Sequence, residues 1–600
     1  MDKRTILAFV LIALVIIFWD DYLKIFGLAP ETVPIDSTEH ILEKKSSVSK
    51  TTASNREYSE REEFFDADQN ELDEFQETQR GTQISEQEYD PDEEIITIET
   101  EAFIAKISSY GACLISYVLK PTRTYLKEDI ELIPQNGIKR PGVRFWTYGG
   151  PFDTENLKYT IQDEYIAESR RMSVKKGREA KLTLSRPLGK NGSLEISYTF
   201  YGDGYSFLHE VKNHNLSQPW VRSYAETKWR GGIAYTEPDS AQDSQYSKAY
   251  VYYSGDILED IKINTKKSEV EGPTDGTTHW GVVRTKYFMS AIIPELSKAE
   301  GAWMESILDS NYIGKYTPNM LGVGLNIPMR DGNPVTPTRI YLGPIDDDLL
   351  ITIDPTLKQA MSMGVGVGFI DTIIRPISNL VLWSLKKLHK VVPNYGICII
   401  IFSIIVKIVI WPLTRKSYQS MAAMQRLQPK LKELKEKYKD DAKRIQMETM
   451  KMYKTEKVNP MGGCLPMLLQ MPLLYALFIV FRATIEFRRA PFMLWISDLS
   501  LPDTIINLPF HFPLYGNHIA LLPIVMGITT FFQSKSTMSD PNQKMLLYFM
   551  PIFLTLIFNN FPSGLTLYYT LFNIWTLVQQ KITPPPVLAV DSDKKVLPKK

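Results

Sequence analysis

The sequence predicts a multi-pass α-helical membrane protein. Six transmembrane helices are expected, five of them forming the core, with a large all-β sandwich domain on one side of the membrane and a helical hairpin on the other. Three observations carry that prediction. Residues 394–413 (NYGICIIIFSIIVKIVIWPL) are almost all apolar, and about 20 apolar residues at a rise of ~1.5 Å cross the ~30 Å hydrocarbon core of a bilayer. Further apolar runs stand at 5–19, 464–481, 518–532, 545–561 and 564–578. Between the first two spans, Leu194, Ile196, Tyr198 and Phe200 alternate with Glu195, Ser197 and Thr199, the period of a half-buried strand.

The totals agree with a composite chain. Its 600 residues are too many for one ordinary domain. The net charge of −1 conceals a segregation: residues 31–101 carry 22 acids against 6 bases, so the remainder is net basic. Three cysteines (Cys113, Cys398 and Cys464) make no disulfide framework and read as small apolar packing residues. With seven His, no C-x-x-C and no ligand spacing, no metal and no cofactor is expected.

Residues 1–28 open with Lys3 and Arg4 before an apolar run. Asp20 and Asp21 follow where a signal peptide would need small residues, so this segment reads as an uncleaved anchor with its start in the cytoplasm. Residues 29–94, acidic and poor in aromatics, cannot bury enough apolar surface to offset ordering and read as a disordered tether. Residues 95–353 hold short β-type runs at 95–98, 103–107, 114–119, 181–184, 249–253 and 339–342, separated by turn residues. Glu210, Asp239 and His279 are scattered here, and a paired-carboxylate sugar chemistry has no spacing to support it. Residues 354–393 contain a helical apolar stripe at 370, 373, 374, 377, 380, 381, 385 and 388, followed by Lys386, Lys387 and Lys390. This is expected as a helix lying in the outer interface, kinked by Pro376.

After the span at 394–413, residues 414–459 carry 13 Lys and Arg against 6 Asp and Glu, which places them in the cytoplasm. Their stripe at 421, 424, 427, 431, 434 and 438, broken by Asp440 and Asp441, predicts a basic helical hairpin ending at Asn459-Pro460. Spans then follow at 460–482, 518–533, 545–561 and 564–581, joined by an outer loop at 483–517 and an inner one at 534–544. The basic tail 582–600 completes the count of six, with both termini cytoplasmic. The runs 518–532 and 564–578, of about 15 residues each, fall short of the ~20 a bilayer asks for, so local thinning is expected.

Lys407 is the one cation of the span 394–413, with Ser403 one turn away. Two readings stand open: a functional charge inside the membrane, or a lysine that snorkels to the interface. The later spans are polar for their depth, through Gln470, Thr529, Thr530, Asn559, Asn560, Thr566, Tyr568, Tyr569, Thr570 and Asn573. Any one of these reads as interhelical glue; together, with no intramembrane acid to pair the lysine, they suggest a wetted cavity.

The stretches VNPMGGCLPMLLQMP and FPSGLTLYY, with APFMLWISDLS and the basic run after WPLTRKSYQS, closely resemble the YidC-type membrane protein insertases of Gram-negative bacteria. The resemblance spans essentially the whole chain beyond the tether. It implies a non-enzymatic insertase and chaperone of the inner membrane, acting alone or beside the Sec translocon on nascent and newly made membrane proteins. It also implies a periplasmic super-sandwich, similar to sugar mutarotases but with no known reaction, and a five-helix groove open to the cytoplasm and to lipid. The groove's cation maps onto Lys407, where the family usually has Arg. Neighbouring groove residues map onto Ser403, Gln470 and Tyr569, with Tyr568 beside them. Lys435, Lys437 and Lys439 of the hairpin are expected to meet the ribosome or the nascent chain, with no specific nucleic-acid site. The rival reading is a transporter or channel for an anionic solute, which internal repeats would support; none is seen. A membrane-anchored sugar-active enzyme is a second rival, tested by turnover of the isolated β domain.

Overall fold

The computed structural model describes residues 93–582 except 189–191, 215–220, 265–266, 308–319, 331–332, 336, 362, 365–367, 439–440, 457–464, 513–514 and 538–543. The anchor, almost all of the tether, the C-terminal tail, Lys439 and Cys464 therefore lie outside the described residues.

The β domain contains every strand run expected from the sequence. Ile95–Glu99, Phe103–Ser108, Cys113–Leu119, Ile130–Glu131 and Arg171–Ser173 form a five-stranded sheet, antiparallel except where Ile95–Glu99 runs parallel to Arg171–Ser173. The other strands of the domain join a fifteen-stranded sheet. Its longest unbroken ladder is Gly192–Tyr201 between Glu179–Leu188 and Ser206–His214, where Tyr198 faces Leu182 on one side and His209 on the other. Leu194, Ile196, Tyr198 and Phe200 are fully buried, as the alternation implies, and Ser197 between them is buried as well.

Aromatic rings join the two sheets. Phe103 stacks on Tyr117 within the smaller sheet at 4.4 Å and meets Phe200 of the larger one at 6.2 Å. Tyr117 in turn lies 6.3 Å from Phe207. The core of the domain therefore sits between sheet faces, as in a sandwich. Cys113 and Cys398 are both buried and reduced, in keeping with a packing role.

Seven helices of the C-terminal half are labelled here: α1 Gly368–His389, α2 Tyr395–Lys437, α3 Ala442–Thr455, α4 Leu465–Ala483, α5 Leu521–Thr537, α6 Lys544–Phe558 and α7 Ser563–Ile582. Asn394 caps α2 through its side chain, which accepts from the Ile397 amide at 3.1 Å, and Asp441 does the same for α3 from Arg444 at 3.0 Å. Residues 394–413 and the first arm of the hairpin are one continuous helix of 43 residues, containing Pro412 and Pro429. At ~1.5 Å per residue α2 is about 65 Å long, twice the depth of a bilayer core. The expected boundary at 413/414 is not an end of helix. Leu427 and Ala423 on its far half are buried against Tyr453 of α3, and Lys430 pairs with Glu456 at 2.9 Å, closing the hairpin.

Tyr395–Pro412 is the one segment among the described residues that is both long and apolar enough to cross a membrane; Gln470–Ala483 and Leu547–Phe558 are shorter apolar helices. Among the described residues the shortest of the late helices is α6, with 15. The apolar run 564–578 lies within a longer helix, since α7 runs for 20 residues. Polar Gln579, Gln580 and Lys581 end its apolar run without ending its helix.

The β domain is seated on the helical half through buried polar contacts. The fully enclosed Arg488 guanidinium pairs with Glu237 at 2.6 Å and donates to the Tyr125 carbonyl at 2.9 Å. Tyr287 donates to the Arg482 carbonyl at 3.3 Å. Lys386 of α1 reaches Glu486 at 3.2 Å and Asp346 at 3.7 Å. On its other side α1 leaves Ile373, Leu380 and Trp383 exposed, a stripe at helical spacing.

Candidate functional site

Lys407 and Ser403 stand one turn apart on the same face of α2, and that face meets α7. Lys407 is 4% exposed, so it does not reach solvent along its own helix as snorkelling would require. Its ammonium donates to Thr576 Oγ1 at 2.8 Å and lies 4.4 Å from the centre of the Phe572 ring and 5.7 Å from that of Tyr418. Thr576 suits the role because its hydroxyl donates to the Phe572 carbonyl at 2.7 Å, which leaves the oxygen to accept. Ser403, fully buried, donates to the Ile400 carbonyl at 2.7 Å and accepts from Trp575 Nε1 at 3.1 Å.

The buried face of α7 is polar along its length. Thr566, Thr570, Asn573, Thr576 and Gln579 recur every three or four residues and all are buried. Gln579 donates to Thr414 of α2 at 3.0 Å. Asn573 donates to Thr530 at 2.8 Å and to Thr529 at 3.3 Å, both on α5. These bonds hold α7 to α2 on one side and to α5 on the other. A protonated Lys407 offers three donors within this face, and no described carboxylate pairs with it.

The residues singled out from the sequence fall into two groups. Lys407 and Ser403 meet residues 572–576 of α7. Gln470 of α4 lies beside the Tyr569 hydroxyl. Tyr568, fully buried, packs on Phe402 at 6.2 Å and on Phe572 at 6.1 Å, and so bridges the groups. Gln470 and Tyr569, expected beside the lysine, are not among its contacts. The face toward Lys407 is instead set by Thr576, Phe572 and Tyr418. Thr576, Trp575, Thr414 and Gln579 were not singled out from the sequence. The three-and-four spacing of polar residues in α7 was the available signal.

On the hairpin, Lys437 is exposed with its ammonium 5.5 Å from the Tyr438 ring, Lys435 is half-buried, and Lys439 lies outside the described residues. No cluster of His, Cys, Asp and Glu able to hold a metal occurs among the described residues.

Residues 387–586 match the family model described as 60Kd inner membrane protein, and residues 95–377 match that of the YidC periplasmic domain. The membrane protein insertase YidC of Chlorobaculum parvum is 34% identical over 589 residues, covering 97% of this chain and 94% of that protein. That of Chloroherpeton thalassium is 31% identical over 612 residues, covering 100% and 99%. A crystal structure of an active YidC insertase with its first transmembrane domain resolved aligns at 18% identity and a TM-score of 0.35, covering 82% of this chain and 92% of that one. The two near full-length sequence relatives carry the assignment.

Proposed function

The chain belongs to the YidC family of membrane protein insertases, and from that premise we propose that it inserts membrane proteins through the polar face that α7 turns toward Lys407. The observation that carries this reading is a buried ammonium with one hydroxyl partner among the described residues. A buried cation with unmet donors is costly unless something supplies acceptors. Water supplies them at rest, and an acidic tail of an incoming chain supplies them in the working state. The polar side chains of α7 and its neighbours give a hydrophilic tail a wet path part-way across the bilayer. The described part of α6, ~22 Å long, favours a locally thin membrane for the rest. The apolar segment of the substrate then leaves sideways into lipid. No bond is made or broken, so neither a catalytic residue nor a cofactor is required.

The remaining parts follow the same physics. Six spans place both termini and the basic α2–α3 hairpin in the cytoplasm, where Lys435, Lys437 and Lys439 meet the translating ribosome or the nascent chain. The β domain then stands in the periplasm, and the exposed stripe of α1 lies in the outer interface. Larger substrates arrive beside the Sec translocon, and the same face shelters them while they fold.

Purified protein in vesicles should insert a small single-span protein with an acidic translocated tail, read as protease protection of that tail. Protein-free vesicles give the baseline. Protection no greater than that baseline would overturn the reading, and anion flux through the same vesicles would favour the transporter alternative.

A further inference from the structure

The outer loop between α4 and α5 contains a structure that the insertase reading does not use. Thr504–Phe512 and Gly516–Ala520 pair as a two-stranded antiparallel ribbon belonging to neither sheet of the β domain. Its first strand reads TIINLPFHF, and of its nine residues only Leu508 is even half-buried. Ile505, Ile506, Phe510 and Phe512 are 45%, 52%, 59% and 54% exposed. A strand open on both faces is ordinarily polar on at least one of them. A protein docking on one face would leave apolar side chains on the other in water. An apolar fluid covers both.

The base of the ribbon is fixed at the ends of the helices. Asn559, fully buried where α6 gives way to α7, donates to the carbonyls of Tyr515 at 2.7 Å and His518 at 2.8 Å, and accepts from the Ala520 amide at 3.0 Å. Gly516, with φ of +94°, sits where a Cβ would lie 2.6 Å from the Asn560 amide oxygen. Asp503, just before the ribbon, accepts from the amides of Leu521 at 3.1 Å and Leu522 at 2.7 Å, at the start of α5.

Asp503 also accepts from Trp495 Nε1 at 2.9 Å. Trp495 belongs to a tight turn closed by the Phe492 amide on the Ile496 carbonyl at 3.1 Å, whose tip exposes Met493 and Leu494. Two apolar projections, one headed by a tryptophan, thus leave the bundle at the same helix ends. Those ends meet the outer membrane surface if α5, α6 and α7 cross the bilayer.

We propose that the ribbon of Thr504–Phe512 and Gly516–Ala520 lies in the outer lipid interface as a membrane anchor, with its apolar side chains among the upper acyl chains. Its depth is shallow. A two-stranded ribbon keeps unpaired backbone groups along both edges, which hydrocarbon does not tolerate and the hydrated headgroup layer does. Asn507 and His511, within the same strand, suit that layer. This inference rests on the membrane-spanning reading of the late helices and is independent of how Lys407 works.

The test uses the full chain with Cys464→Ser and either Phe510→Cys or Ile506→Cys, labelled with an environment-sensitive fluorophore. The protein is reconstituted in vesicles of phosphatidylethanolamine and phosphatidylglycerol. Val270→Cys, exposed on the β domain, is the aqueous control, and insertion activity is assayed in parallel. At both ribbon positions, lipids doxylated near the headgroup should quench several-fold more than lipids doxylated at the chain end, and iodide several-fold less than at position 270. Iodide quenching equal to that at 270 would put the ribbon in water and overturn the proposal. Shielding from both quenchers would also overturn it, because protein would then cover the ribbon, either residues 5–28 or a second copy. Quenching by lipid in a preparation without insertion activity would sustain the anchor while removing the proposed function.

Discussion

The seat of the β domain can be tested through Lys386. Its side chain is 15% exposed and stands 3.2 Å from Glu486 and 3.7 Å from Asp346, themselves 5% and 7% exposed. A third partner, Asp348 at 2.9 Å, is 64% exposed and screened by water, so it adds little. Asp346 has other partners: it accepts from Tyr125 Oη at 2.7 Å and from the Asp348 amide at 3.0 Å. Lys386→Met therefore strands chiefly Glu486. Removing one partner of a buried pair costs about 3 kcal/mol or somewhat more, which for a unit of this size is about 6–12 °C in Tm.

The sign of the pH dependence is fixed as well. Burial pushes the Glu486 carboxyl above its ordinary value of 4.5, against the opposing pull of Lys386. Without the lysine it rises further. A carboxyl whose pKa is raised on folding costs nothing below its unfolded value and costs more as pH climbs toward the folded one. The loss should be larger at pH 8 than at pH 5.5, and Glu486→Gln in the same chain should recover much of it. Thermal unfolding in detergent at the two pH values reads this directly. An equal loss at both, or no recovery in the double variant, would refute the reasoning.

Asn559→Ala removes three hydrogen bonds at the base of the ribbon, at about 1 kcal/mol each. Amide exchange over residues 515–520 should speed up while α7 keeps its protection; unchanged protection at 515–520 would contradict the assignment. Changing Lys435, Lys437 and Lys439 together to Glu should reduce co-sedimentation with translating ribosomes at low salt, where phosphate contacts are strongest, and unaltered association would make the hairpin a plain helical pair. Deleting residues 95–346 while keeping α1 should leave insertion competent, since Lys407 and its contacts are all on α2 and α7. Complete loss of insertion at normal protein levels would show otherwise.

Much of this was legible from side-chain period and polarity. The alternation around Tyr198 marks a strand, and Asp440 and Asp441 mark the break between the hairpin helices, where Asp441 accepts from the Arg444 amide. Continuity was less legible. Thr414, Arg415 and Lys416 end the apolar run of α2, yet Lys and Arg are good helix formers and the backbone runs on. The ribbon was hidden because Pro509, Pro513 and Gly516 read as loop; tertiary bonds from Asn559 and Asp503 secure its base. The face toward Lys407 was half visible. The polar stripe of α7 stood in the sequence, but which of its residues meets the lysine depends on how α2 and α7 are rotated against one another, and packing settles that.

The central claim is that the charge of Lys407 does the work, and one series of variants tests it. Two unit charges ~4 Å apart interact by about 1 kcal/mol in water and about 4 kcal/mol near protein, so an acidic tail should sense the sign of residue 407. The measurement is protease protection of a translocated tail in vesicles, for acidic and neutral tails, with Lys407→Arg, Lys407→Ala and Lys407→Glu. Arg, a permanent cation, should match or exceed the parent. Ala should impair the acidic tail more than the neutral one, and Glu should be the most defective. If Ala and Glu both match the parent on the acidic tail, the charge is not used and Lys407 only packs.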